Sequence, residues 1–80
     1  MNLKASKTGM LKPGETGIIH SLKESVISSK LTELGFLPGK EIRLVRRALG
    51  GSPLYFDLRG HYVALRTEEA ENILLDASDK

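Results

Sequence analysis

The spacing of apolar residues changes several times along the chain, and each change marks a new element. Residues 17–22 (GIIHSL) read as a first strand with Ile19 and Leu22 toward a core, and their broken alternation points to a β-bulge. Ile27, Leu31 and Leu34 then fall at i, i+4 and i+7, one face of a helix. Gly35 stands where a left-handed residue would end that helix. The helix is predicted to start between Ser21 and Ser25, because residues 21–24 match a capping box and Ser25 is an equal candidate for the cap. Pro38 and Gly39 turn the chain into a second strand, 41–47, which stops at Gly50, Gly51 and Pro53. From 54 to 59 the alternation is clean, with Leu54, Phe56 and Leu58 on one face and Tyr55, Asp57 and Arg59 on the other. Gly60 and His61 supply the next turn, and Val63 and Leu65 face the same core from a partner strand, 62–66. Residues 67–73 read as a short helix capped by Thr67, and Ile73, Leu74 and Leu75 close the pattern as a last strand.

These elements predict a mainly β fold: a small barrel of about five strands that hides its edges by closing on itself. One helix is inserted after the first strand and a short helical turn precedes the last. Eighty residues suffice for one domain with one core. We divide the chain into a loose N-terminal arm (1–10), the barrel domain (11–76) and a polar tail (77–80).

Composition narrows the chemistry. There is no cysteine, which removes disulfides, thiolate metal sites and thiol catalysis. No apolar run reaches the roughly 18 residues that a membrane span needs, and the N-terminus lacks the apolar stretch of a secretory signal, so a cytoplasmic protein is expected. The formal charge is +2, from 12 Lys and Arg against 10 Asp and Glu. Its distribution is uneven. Lys40, Arg43, Arg46, Arg47, Arg59 and Arg66 make the middle basic, whereas Glu68, Glu69, Glu71, Asp76 and Asp79 make the end acidic.

Catalytic and metal signals are weak. No serine lies in a nucleophile elbow, and residues 50–53 (GGSP) lack the Lys-Ser ending of a phosphate loop, so enzyme activity is not expected. Among His20, His61, Asp57, Glu33 and the methionines no pair has helical ligand spacing, so neither a metal site nor a cofactor is expected. The basic cluster could meet an acidic partner surface or be a solvated face. Phe36 and Leu37, just past a helix end, either contact a partner or plug the barrel; Leu49 at the hairpin tip is either a docking residue or a lone exposed leucine.

Five segments together carry a resemblance: Leu11-Lys12-Pro13-Gly14-Glu15-Thr16-Gly17, Leu31-Thr32-Glu33-Leu34-Gly35-Phe36-Leu37-Pro38-Gly39, Arg46-Arg47-Ala48, Gly51-Ser52-Pro53 and Leu65-Arg66-Thr67-Glu68-Glu69-Ala70. In order and spacing the chain resembles the ferrous iron transport protein A (FeoA) family from about Leu11 to Leu75. It also looks like the barrel domain of some iron-dependent transcriptional repressors; with no helix-turn-helix ahead of it, the free-standing transport protein is expected. The resemblance implies an SH3-like barrel that acts in the cytoplasm by binding FeoB, the ferrous iron transporter with a GTP-binding domain, whose assembly or GTP cycle it would tune. The hairpin departs from the family's usual Ala-Pro-Leu-Gly-Asp-Pro, having Ala48-Leu49-Gly50-Gly51-Ser52-Pro53, which implies a looser and less charged turn. The expected partner-binding residues are Leu31, Phe36, Leu37, Arg46, Arg47 and Leu49. The alternatives are a barrel that binds nucleic acid or one that self-associates in response to iron. With Phe56 assigned to the core, Phe36, Tyr55 and Tyr62 are the remaining aromatics for stacking on bases, which disfavours nucleic acid.

Overall fold

A Pro-Gly turn leads into the first long strand: Glu15 N–H donates to Lys12 O (2.9 Å), and Gly14 sits between them at φ +91°. The structure is a computed structural model that describes residues 6–7 and 11–76. The rest of the expected N-terminal arm and the polar tail lie outside the described residues. Among the described residues six strands form one antiparallel sheet in the order β1-β6-β2-β3-β4-β5: β1 (Ser6–Lys7), β2 (Thr16–Leu22), β3 (Glu41–Arg47), β4 (Leu54–Asp57), β5 (Tyr62–Leu65) and β6 (Ile73–Leu75). Helix α1 (Val26–Leu34) follows β2, and the single turn α2 (Thr67–Ala70) links β5 to β6.

β2 makes the sheet coil. Its first half pairs with β3 (Thr16 with Arg43, Ile18 with Glu41), and its second half pairs with β6 (Ile19 with Leu75, Leu22 with Ile73). The predicted bulge lies between Ile19 and Ser21. A bulge sharpens the local twist, so the two halves of the sheet fold over one core as a mainly β, SH3-like barrel. The backbone ladder does not run on from β5 to β1; those two strands are the edges of the sheet.

Helix α1 shows why its sequence is short and self-limiting. Ser25, extended at φ −167°, accepts from Ser28 N–H (3.2 Å) and so is the cap. At the other end Gly35 takes φ +107°, its N–H donating to Thr32 O (3.0 Å) while Phe36 N–H reaches back to Leu31 O (3.0 Å). This Schellman pairing reverses the chain and swings Phe36 under the helix. Leu31 is buried, with Ile27 and Leu34 packed beside it.

The core joins Phe36 and Leu31 to Ile19, Ile42, Leu44, Leu54, Phe56, Leu65, Ala70, Ile73 and Leu75. Phe36 meets Phe56 edge-to-face, with ring centroids 6.1 Å apart and planes at 86°. Thr67 is the first residue of α2, not its cap. Its N–H donates instead to Ser52 Oγ (3.2 Å), and Glu69 Oε1 accepts from Arg66 N–H (2.8 Å).

Candidate docking groove

The β3–β4 hairpin separates two ends of the molecule. At its closed end a 3₁₀ turn (Leu49–Gly51) carries Leu49, wholly exposed at 101%. The turn is pinned by Ala48 N–H to Pro53 O (3.0 Å) and Gly51 N–H to Ala48 O (2.9 Å). Ser52 ties it to α2, so a serine in the family's usual aspartate position still anchors the loop. Gly50 and Gly51, at φ +86° and +92°, supply the left-handed backbone that this turn needs.

At the open end, about 20 Å away along β3, a groove of about 280 Å³ lies between the end of α1 and the β4–β5 turn. Leu34, Leu37 and Leu58 line it, with Lys40, Arg59 and His61 around them. Its shape follows from the backbone. Gly35 faces Leu58 across the groove: a Cβ there would meet Leu58 Cδ2 at 3.8 Å, an ordinary van der Waals contact, so the left-handed backbone and not crowding favours glycine. Leu37 O accepts from Lys40 N–H (3.0 Å), holding Leu37 half-exposed on the lip at 38%.

The opposite wall is a two-residue hairpin turn, Arg59–Gly60, with φ +60° and +102°; Leu58 N–H donates to His61 O (2.7 Å). Both central residues are left-handed, the twist that suits a tight hairpin. For an arginine this conformation costs about 1–2 kcal/mol. Asp57 holds the turn in place: its Oδ1 accepts from Gly60 N–H (2.6 Å) and its Oδ2 from Arg43 Nη2 (3.1 Å). Those two bonds, with the Gly60 amide the larger influence, hold the Asp57 carboxyl below its usual pKa. Arg59 Nη1 reaches Glu41 Oε1 at 3.3 Å across the groove edge.

The expected contact residues do not form one surface. Leu31 and Phe36, 1% and 0% exposed, are core residues, because the helix face and the Schellman turn point them inward; they are withdrawn from the site. Leu37 is on the groove, while Leu49 is at the far end of the hairpin. A second bulge, between Leu44 and Arg46, sends the neighbouring arginines to different places. Arg46 lies over the Tyr55 ring, 4.4 Å from its centroid, whereas Arg47 Nη2 donates to Leu11 O (2.9 Å). With Arg43 on Asp57 and Arg59 on Glu41, the basic cluster is largely engaged within the fold. Sequence reasoning missed Leu34, Lys40, Leu58, Arg59 and His61 as groove residues. Their only sequence signal is that two turns, 35–40 and 58–61, flank the strands that the structure pairs.

No group of three or more His, Cys, Asp or Glu side chains is placed to hold a metal among the described residues. His20 Nδ1 pairs with Asp76 Oδ1 at 2.9 Å, and His61 lines the groove. No helix among the described residues is long and apolar enough to cross a membrane.

Comparison with known proteins extends the resemblance. A search of curated proteins finds no match. Iron(II) transport protein A from Clostridium thermocellum is 33% identical, with TM-score 0.82 over 89% of this chain; the match spans only 44% of that chain. FeoA of Stenotrophomonas maltophilia, solved in complex with zinc and described as an SH3 domain protein, is 30% identical, with TM-score 0.81 over 90% of this chain and 91% of its own. A manganese-dependent transcriptional repressor, 14% identical with TM-score 0.84 over 98% of this chain and 44% of its own, shares the fold. The family model for the FeoA domain matches residues 9–77, the barrel with both turns that shape the groove, and on that match the chain belongs to the FeoA family.

Proposed function

We propose that this chain is a small cytoplasmic accessory protein of ferrous iron uptake, acting by binding the GTP-binding domain of a FeoB-type transporter and tuning its assembly or its GTP cycle. Iron is the transporter's cargo in this reading, and the chain itself neither makes nor breaks a bond and needs no resident cofactor. The observation that carries the proposal is the family match over residues 9–77. An exposed apolar groove with charged margins, on a barrel with no unpartnered buried side-chain polar atom among the described residues, supports action by contact.

The alternative of a nucleic-acid barrel is weaker on specific geometry. Phe36 is buried, Tyr55 carries Arg46 on its ring, and Arg43 and Arg59 are held by carboxylates, so among the described residues Tyr62 is left as the exposed ring, where a stacking surface needs several. The test is co-purification of the full chain with the transporter's isolated GTP-binding domain, followed by GTP turnover with and without the chain. A stoichiometric complex with altered turnover is expected. No complex at tens of micromolar, or binding to single-stranded DNA with a steep salt dependence, would overturn the reading.

A further inference from the structure

We propose that the free edge of β5 is a self-association site, where a second copy of the chain adds its own β5 antiparallel about a two-fold axis at Val63. The inference is independent of the accessory-protein reading and calls for no metal. The backbone bonding of the hairpin carries it. Leu58 N–H donates to His61 O, so the facing pair Asp57–Tyr62 is a non-hydrogen-bonded one, and pair types alternate from there through Phe56–Val63, Tyr55–Ala64 and Leu54–Leu65. Val63 and Leu65 therefore direct their N–H and C=O at β4. Tyr62 and Ala64 turn theirs the other way, and among the described residues β5 is the last strand on that side of the sheet.

The hydrogen-bonding groups that flank this edge fix the register. Gly60 N–H donates to Asp57 Oδ1, and Arg66 N–H donates to Glu69 Oε1 while Arg66 O accepts from the Glu69 and Ala70 amides. A second β5 shifted one way sets Tyr62 against Arg66, and shifted the other way sets Ala64 against Gly60; either leaves a group facing one already engaged. Centred on Val63, it sets Tyr62 against Ala64 twice and pairs all four edge groups of each copy.

The side chains suit the same register. Tyr62 is 66% exposed, and Ala64 is exposed on the same face of β5. Opposite Tyr62, the small Ala64 of the second copy leaves space for the ring to lie toward that copy's Tyr55, which faces Ala64 on β4. The two-fold also brings the basic turn Arg59–Gly60–His61 of each copy beside the start of the other's α2. There Glu68 and Glu69 outnumber Arg66, and the Glu68 carboxylate has no ion-pair partner among the described residues. β5 is four residues long, so the contact is small and the dimer reversible, with a Kd of about 0.1–1 mM.

The test is a concentration series of the full chain from about 0.02 to 2 mM, read by sedimentation equilibrium and amide-resolved NMR. A rise toward twice the monomer mass is expected, with saturating shifts centred on Tyr62, Val63 and Ala64. Isotope-filtered NOEs should run from the Tyr62 ring of an unlabelled copy to the Ala64 methyl of a labelled one. Ala64→Pro removes an N–H that makes no bond to β4, and it should weaken association by about tenfold or more while the spectrum stays that of the folded chain. Tyr62→Ser keeps every backbone bond and removes only the exposed ring; it should weaken association about threefold, so the outcome does not hang on the proline variant folding. A monomer at every concentration would overturn the proposal. So would shifts mapping elsewhere, association that requires ferrous iron, or undiminished association in folded Ala64→Pro or in Tyr62→Ser. Shifts at the β5 edge that arise only when the transporter's GTP-binding domain is added would overturn it too, assigning the edge to that partner.

Discussion

The two ends of the β3–β4 hairpin carry similar residues in opposite circumstances. At the groove, Leu37 sits half-exposed beside Leu34 and Leu58 with Lys40 and Arg59 at the margin; at the tip, Leu49 is fully exposed. The groove end is built by a Schellman turn, a Pro-Gly turn and a strained hairpin, each held by hydrogen bonds. The tip is a flexible-residue turn anchored through Ser52 to α2. An apolar side chain becomes a site through its neighbours, and the groove supplies them.

The comparison can be broken most severely from underneath. Phe36→Ala removes the ring that packs on Phe56 just behind the groove, and it should cost about 3–5 kcal/mol in chemical denaturation. A loss below 1 kcal/mol would mean that Phe36 is not the buttress described. Gly35→Ala comes next. The left-handed backbone disfavours a side chain although Leu58 leaves room for a methyl, so a loss of about 1–2 kcal/mol is expected from the same denaturation curve.

Asp57→Asn separates the turn from its charge. The native carboxyl has a lowered pKa, so its contribution to stability is present above the unfolded value of about 3.9 and is lost as pH falls through the lower folded value. The wild type should therefore lose melting temperature as pH drops from about 4 toward 2, and the variant should lose less over that window. Parallel pH profiles for the two proteins would contradict this account of the Arg59–Gly60 turn. At the tip, Leu49→Ser should change stability by no more than about 0.5 kcal/mol in chemical denaturation. A larger loss would mean that Leu49 packs on the fold and is not the exposed tip residue described.

Much of the molecule was legible from residue order. Ser25 and Gly35 bound the helix, the period-two pattern of 54–58 faces its apolar residues to the core, and the irregular spacing of 17–22 reports a bulge that exists. Ser6–Lys7 pairing with Leu75 and Leu74 was not legible, because two polar residues carry no strand periodicity and gain their place from the edge that β6 offers. Thr67 looked like a cap because threonine caps helices; Arg66 precedes the helix instead, and the threonine amide finds Ser52.

For the candidate site the balance was different. Leu37 was identifiable as an apolar residue past a helix end, but its companion Phe36 went inward, since the residue after a Schellman glycine packs back on the last turn of the helix. The arginines read as one cluster in the sequence. The bulge after Leu44 and the nearby carboxylates disperse them into separate contacts.

Local physics was therefore settled along the chain: caps, turns, strand period and the apolar set of one core depend on residues within a few positions of each other. The groove was not, because Leu34, Lys40, Leu58 and His61 come from elements joined only when β3 and β4 pair and α1 packs across them. Such a surface depends on register and bulges, and a one-residue slip of β4 against β3 would turn the side chains of that strand to the other face and carry the following turn with it.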